Sequence, residues 1–137
     1  MFEDNKIIAM TRSLGYALQQ EKEFLEYMEA RQKNDEDAEL QSMIEDFNEV
    51  QTQVDVLLNK DEKDTEKIEE LSNRMDQIYQ AIMQNENMAN YNEKRGQFDQ
   101  LMQFVNRILL VSMNGGDPFG VKEEDCTGNC STCGGCG

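Results

Sequence analysis

LQSMIEDFNEVQTQVDVL, residues 40–57, is the stretch that decides the fold. Its apolar side chains recur at every third or fourth position, which is the spacing of one face of an α-helix. Glu36 and Asp37 stand just before it, where carboxylates favour the positive end of a helix. The pattern predicts an amphipathic helix that ends near Asn59. The apolar stripe consists of Leu40, Ile44, Phe47, Val50, Val54 and Leu57.

The segment that follows leaves two arrangements open. Residues 60–64 are all charged, and Asp64 or Thr65 can cap a third helix. A turn there gives a helical hairpin, whereas the seven-residue register from Phe47 to Ile82 also permits one unbroken helix. The stripe of this third segment is Ile68, Leu71, Met75, Ile78 and Ile82.

A helix also precedes this region. It is predicted from about Asp4 to Lys33, with Asp4 or Asn5 as its N-cap. Its stripe at helical spacing comprises Ile7, Thr11, Leu14, Leu18, Lys22, Leu25 and Met28.

The last helix follows a break at residues 85–87 and ends near Asn114. Gly115 and Gly116 suit the left-handed residue that commonly terminates a helix. Pro118 is the only proline of the chain. We therefore expect an all-α protein, an antiparallel bundle of about four long amphipathic helices with an irregular Cys/Gly-rich C-terminal tail. The stripe of the last helix is Tyr91, Phe98, Leu101, Met102, Val105, Ile108 and Leu109.

The composition restricts the possible partners. The chain has 13 basic and 28 acidic side chains, a net charge of -15, which repels phosphate backbones and anionic headgroups. We expect no direct nucleic-acid binding and no membrane insertion. Apolar residues make up 38% and aromatic residues 7% of the chain, so the core is thin and we expect an oligomer. With neither a signal peptide nor a long apolar run, we expect a cytoplasmic protein.

Catalysis has little support in the sequence. The chain contains no histidine, and it has no phosphate-binding loop and no catalytic triad. We expect a protein that is not an enzyme.

All four cysteines lie in the last twelve residues, interleaved with glycines. We expect residues 1–114 to form the helical domain, 115–125 a flexible linker and 126–137 a metal-binding tail. Four thiolates without histidine suit an all-thiolate zinc site or an iron-sulfur cluster, while disulfides are disfavoured in a reducing compartment. The candidate ligands are Cys126, Cys130, Cys133 and Cys136.

The spacing of these cysteines favours iron-sulfur. Zinc ribbons usually separate two cysteine pairs by a longer loop, whereas spacings of three, two and two residues resemble the close runs of cubane-cluster proteins. A 4Fe-4S cluster is the first choice and Zn the alternative. The first three cysteines also match the spacing of radical S-adenosylmethionine enzymes, but those carry the motif in a barrel that this chain is too short to form.

Three stretches of the helical part carry a family resemblance. Residues 10–18 (MTRSLGYAL), 35–40 (DEDAEL) leading to Phe47, and 87–91 (NMANY) opening the last helix resemble the YlbF/YmcA family of small bacterial helical regulators. The resemblance covers about residues 5–114, and the cysteine-rich tail adds to it because some members end in such tails.

The resemblance implies a homodimer or a complex with family relatives. It also implies roles in competence, sporulation or biofilm development, through an endoribonuclease complex that processes mRNA. Iron-sulfur ligation by the tail would fall on the four cysteines. The expected function is a noncatalytic regulatory adaptor. The alternatives are a structural helical subunit with a four-thiolate zinc site, or a small electron-transfer protein.

Overall fold

The computed structural model describes residues 1–123. In this part of the chain every regular element is helical, which confirms the all-α prediction. The elements are α1 (Lys6–Gln20), α2 (Lys22–Glu36), α3 (Ala38–Leu58), α4 (Thr65–Gln84), α5 (Glu86–Met113) and a short 3₁₀ helix (Pro118–Gly120).

The predicted first helix is in fact two helices, so the expected count of about four is corrected to five in the described part. Glu21 separates them with an extended backbone (φ -70°, ψ 145°), and its N–H bonds to the Leu18 carbonyl at 3.2 Å. After the break, Leu25 is 54% exposed, while Phe24 and Tyr27 make the ring contacts with α5.

Polar side chains cap the first turns of α1 and α4. Asn5 Oδ1 accepts the Ile7 N–H at 2.8 Å, and Asp64 Oδ1 accepts the Lys67 N–H at 3.1 Å. Such caps satisfy backbone donors that the first turn leaves without partners. Of the two arrangements that the sequence leaves open, the structure has the hairpin, because α3 ends at Leu58 before the Asp64 cap and α4 begins at Thr65.

The end of α5 also follows the prediction. Gly115 has φ +83°, the left-handed conformation in which glycine carries no Cβ penalty. The Gly116 N–H then bonds to the Val111 carbonyl at 2.9 Å, and the Gly115 N–H bonds to the Ser112 carbonyl at 3.1 Å. This pair of bonds forms the Schellman motif that ends many helices. A Cβ at Gly116 would lie 2.7 Å from Val111 Cγ1, so a larger residue would force that side chain to move.

The chain separates into two compact units. We call residues 28–93 the core unit, and residues 1–27 together with those from 94 onward the terminal unit. In the core unit α3 and α4 pack antiparallel, and the rings of Phe47 and Tyr79 lie 6.4 Å apart. Within residues 1–123, every buried apolar side chain belongs to the core unit: Ala30, Leu40, Val50, Val54 and Ile82.

Candidate functional site

The four predicted ligand cysteines lie outside the described residues, so the metal centre stays a prediction from sequence. The described part of the chain offers no substitute for it. Among residues 1–123, no group of three or more acidic, histidine or cysteine side chains is arranged to hold a metal ion.

The segment that leads to the cysteines begins with the 3₁₀ helix. Asp117 Oδ1 accepts the Phe119 N–H at 2.9 Å, and Pro118 occupies the first turn, where its missing N–H costs nothing. The Phe119 side chain is 95% exposed. A turn therefore lies within the predicted linker, whose flexibility stays a prediction.

The most exposed apolar helix of the described chain is α1, in the terminal unit. Ile7 is 70% exposed, Met10 62% and Leu14 38%. Only Ile8 and Leu18 are half-buried, and the other residues of α1 are exposed. Apolar side chains repeated along one exposed helix face are typical of an interaction surface.

The charge of α1 differs from that of the core unit. Residues 5–20 contain Lys6 and Arg12 and no acidic residue, whereas the core unit carries eighteen acidic and six basic side chains. Electrostatic repulsion between like-charged proteins is therefore weaker at α1 than over the core unit.

An aromatic contact joins α2 to α5 in the terminal unit. The Phe98 ring stacks on Tyr27 with centroids 5.6 Å apart and meets Phe24 edge-on at 5.8 Å. Offset and edge-to-face geometries are the favourable ones for aromatic rings. The sequence pattern includes Phe98 in the last stripe but does not indicate its partners, because the apolar stripe of the first predicted helix runs through Leu25.

An ion pair lies beside this aromatic contact. Lys94 Nζ is 3.2 Å from Glu26 Oε2, and Lys22 Nζ is 3.7 Å from Glu26 Oε1. The hydrogen bond from Lys94 holds the pKa of Glu26 below its ordinary value, partly opposed by the loss of hydration. The Lys94–Glu26 pair joins the start of α2 to the first third of α5.

A second polar cluster joins two turns of the core unit. Asp37 Oδ1 caps α3 by accepting the Leu40 N–H at 3.0 Å, and Asp37 Oδ2 accepts the side-chain amides of Asn87 at 2.9 Å and Asn85 at 3.1 Å. The bond from Leu40, followed by those from the two amides, lowers the pKa of Asp37. One carboxylate thus connects the α2–α3 turn to the α4–α5 turn.

Asn34, next to this cluster, is a buried polar residue with 8% of its surface exposed. Its side-chain Nδ2 lies 3.6 Å from Met88 Sδ. Its backbone carbonyl accepts a hydrogen bond from the Gln41 side-chain amide at 2.8 Å. The Oδ1 atom has no hydrogen-bond partner in the described part of the chain. Burial of an unpaired acceptor costs free energy, so the packing around it must compensate.

A shallow apolar groove of about 250 Å³ lies between α3 and α4. It contains no titratable side chain except that of Lys67. The groove and the polar cluster around Asp37 are suited to contacts and stability rather than to proton transfer. The carboxylate of Asp37 has a lowered pKa and is therefore a weaker base at neutral pH. The lining consists of Thr52, Gln53, Val56, Leu57, Lys67 and Leu71.

None of the helices in residues 1–123 combines the length and the apolar character needed to cross a membrane.

Comparison with known proteins gives a family match. Residues 7–114 match the family described as "Control of competence regulator ComK, YlbF/YmcA". No curated protein and no solved structure matches the chain. The matched range begins in α1 and ends just after α5, so it includes all five helices and stops before the cysteine tail. The chain belongs to the YlbF/YmcA family of regulators.

Proposed function

We propose that the protein is a noncatalytic cytoplasmic regulatory adaptor that binds protein partners through its helices and an iron-sulfur cluster through its tail. The observation that carries the protein-binding role is the exposed apolar face of α1, where Ile7 is 70% and Met10 62% exposed. A regulatory role agrees with the family, which is described by its control of a competence regulator.

The donor set of the tail supports the cluster. Four thiolates and no histidine match the ligands of a 4Fe-4S cluster, and the spacing of three, two and two residues is close to that of known cubane runs. The ligands would be Cys126, Cys130, Cys133 and Cys136. A bound cluster would supply sensitivity to oxygen and redox state, because an exposed cluster is readily oxidised.

The partners are proposed from the family resemblance and the charge. The resemblance points to the chain itself, to family relatives and to an mRNA-processing endoribonuclease complex. The core unit, with eighteen acidic side chains, favours a partner with a basic surface. Binding or loss of the cluster would order or release the tail and so change the surface that a partner meets.

The test is a metal analysis of the full-length protein purified without oxygen from iron-replete cells. We expect brown protein with broad visible absorption that contains iron and acid-labile sulfide and bleaches in air. Cys130→Ser should abolish the colour, and the matched control Ser131→Ala, one residue along the same tail, should leave it unchanged.

Two results would contradict the cluster. Colourless protein with one zinc per chain would support the structural zinc alternative. Iron content unaffected by Cys130→Ser, or by the equivalent change at Cys133, would show that the tail is not the site.

A further inference from the structure

Arg107, in the second half of α5, differs from the other arginines of the chain. Its Nε is buried and has no hydrogen-bond partner among residues 1–123. A buried guanidinium N–H without an acceptor costs free energy, so this position favours an anion that the described residues do not supply. Arg107 is half-buried, whereas the other four arginines are exposed: Arg12, Arg31, Arg74 and Arg95.

Carboxylates are abundant in this chain, with 28 acidic side chains, but Arg107 pairs with none of those in residues 1–123. Lys94 and Arg95 of the same helix do have carboxylate partners, Glu26 and Asp99. A net charge of -15 repels free anions such as phosphate or nucleic acid. An anion on the same chain overcomes this repulsion more easily, because a short tether gives it an effective concentration on the order of millimolar.

The predicted linker starts close to Arg107. The Gly116 N–H bonds to the Val111 carbonyl at 2.9 Å, and Val111 follows Arg107 by about 6 Å along the helix axis. Farther along, the Val121 side chain is half-buried. The ten residues from Gly116 to Cys126 can span up to about 33 Å. The chain is therefore long enough for the first cysteine to reach Arg107.

The anion that the chain itself can bring to this place is the metal-loaded tail. Four thiolates around Zn²⁺ or around an oxidised 4Fe-4S core have a net charge of about -2. We propose that Arg107 binds this thiolate metal centre, so that metal loading docks the tail on α5. A guanidinium donates charge-assisted hydrogen bonds to anions, and hydrogen bonds to sulfur are known to tune such centres. The inference rests on the proposed metal centre and applies to either metal.

Docking would also cover exposed apolar surface on α5. Leu110 is 42% and Met113 82% exposed, and they follow Arg107 at intervals of three residues, along one ridge of the helix. Without a metal, the four sulfurs are distributed over a stretch of eleven residues and are not gathered into one anion. Metal loading therefore closes this ridge to a protein partner, and metal loss opens it.

The first test is labelling of arginine by phenylglyoxal in the full-length protein, followed by mass spectrometry. The protein purified without oxygen is compared with the same protein after a chelator has removed the metal. Labelling of Arg107 should be at least about threefold lower in the loaded protein, because the bound centre covers the guanidinium. Reloading with Zn²⁺ alone should restore this protection, since the charge of the centre is similar.

Arg95 is the internal control for the labelling. It lies on the same helix, is exposed and pairs with Asp99, so it should be labelled equally in loaded and metal-free protein. Equal labelling of Arg107 in the two samples would overturn the proposal. The same degree of protection at Arg95 would also overturn it, because the effect would then not be specific to Arg107.

The second test removes the charge of Arg107 and keeps the four cysteines. Arg107→Gln should keep the metal content of the wild type, but trypsin should cut after Lys122 several-fold faster in the loaded protein, because the tail is no longer docked. In iron-loaded protein the reduction potential should become more negative, since a positive charge near the cluster is lost. Arg107→Lys should recover part of both effects, and Arg95→Gln should match the wild type.

A merely structural role of Arg107 would leave the reduction potential unchanged. Circular dichroism shows whether each variant is folded, and the labelling of the wild type does not depend on any variant. A folded Arg107→Gln with the cleavage rate and the reduction potential of the wild type would overturn the proposal.

The metal content of the wild type separates this inference from the proposed function. A full-length protein that binds neither iron nor zinc would overturn both. Bound metal together with equal labelling of Arg107 would overturn the docking alone. Cys130→Ser, which should not bind the metal, should label at Arg107 like the metal-free wild type, and protection of Arg107 in that variant would contradict the docking.

Discussion

The core unit and the terminal unit differ in how far they bury their apolar side chains. In the core unit Leu40 is 0% and Val50 2% exposed. In the terminal unit α1 has no buried residue and leaves Ile7 70% exposed. Since apolar burial is the main favourable term in folding, we expect the core unit to be the more stable scaffold, and the proposed contact surface lies in the terminal unit.

The largest expected effect compares the same substitution in the two units. Leu40→Ala should destabilise the protein by about 2 to 5 kcal/mol, because it opens a cavity in a fully buried site. Leu25→Ala in the terminal unit, where Leu25 is 54% exposed, should cost less than about 1 kcal/mol. Urea unfolding of both variants measures the difference, and equal losses would refute the division into scaffold and contact surface.

A smaller effect is expected at the aromatic contact of the terminal unit. Phe98→Ala removes the ring that meets Phe24 and Tyr27 and should destabilise the attachment of the first turns of α2 by about 1 to 3 kcal/mol. Hydrogen exchange should therefore accelerate at residues 22–27 while α3 and α4 keep their protection. Phe119→Ala, at a side chain that is 95% exposed, is the matched control and should change neither region. Faster exchange across α3 would show that the two units are not independent in stability.

The smallest effect is expected at the polar cluster of the core unit, formed by Asp37, Asn85 and Asn87. Asp37→Ala removes a helix cap together with the acceptor of two asparagine amides, whereas Asp64→Ala removes a cap bond alone. The melting temperature should fall by several degrees for Asp37→Ala and by less for Asp64→Ala. An equal fall in both variants would mean that the hydrogen bonds from the two asparagines contribute nothing to stability.

The lowered pKa of Asp37 gives the cluster a defined pH dependence. Folding favours the ionised carboxylate, so this stabilisation is complete above the ordinary pKa of 3.8 and is lost as the pH falls through the lower pKa of the folded state. Asp37→Asn cannot titrate. The stability difference between wild type and Asp37→Asn should therefore shrink in acid, and a difference that stays constant down to pH values below 3.8 would contradict the stated cause.

The elements that sequence predicted well are those with a local chemical signal. The sequence predicts Asp4 or Asn5 as one cap and Asp64 or Thr65 as another, because short polar side chains accept the first backbone N–H groups, and Asn5 and Asp64 do so. Gly115 was expected to end α5 and has a positive φ. The apolar residues Leu40, Val50 and Val54 of α3 were assigned to one stripe and are buried. Each of these follows from the residue and its near neighbours.

The break at Glu21 had no such signal. Neither glycine nor proline marks it, and glutamate is a good helix former, so periodicity alone continued the stripe to Leu25. The residues that follow the break make contacts distant in sequence, since Phe24 and Tyr27 meet Phe98, and a local pattern does not indicate such contacts. The sequence pattern does not indicate the polar cluster of Asp37, Asn85 and Asn87 for the same reason. Its hydrogen bonds form only because two turns that are distant in sequence meet in space.

The candidate ligands came from residue type and spacing alone. Four thiolates in a tail without histidine limit the choice of metal, but cannot by themselves separate zinc from an iron-sulfur cluster. That choice depends on the metal analysis. The exposed apolar face of α1 is identified only from the exposed fractions of its side chains in the structure.

The division between scaffold and contact surface is tested most directly by hydrogen exchange of the full-length protein as a function of concentration. Amides of α3 and α4 should exchange slowest at every concentration. Amides of α1 should exchange rapidly at about 1 µM and slow down as the concentration rises through the micromolar range, because a second copy then covers the exposed helix. Protection of α1 equal to that of α3 at the lowest concentration, with no change on concentrating the sample, would contradict the account.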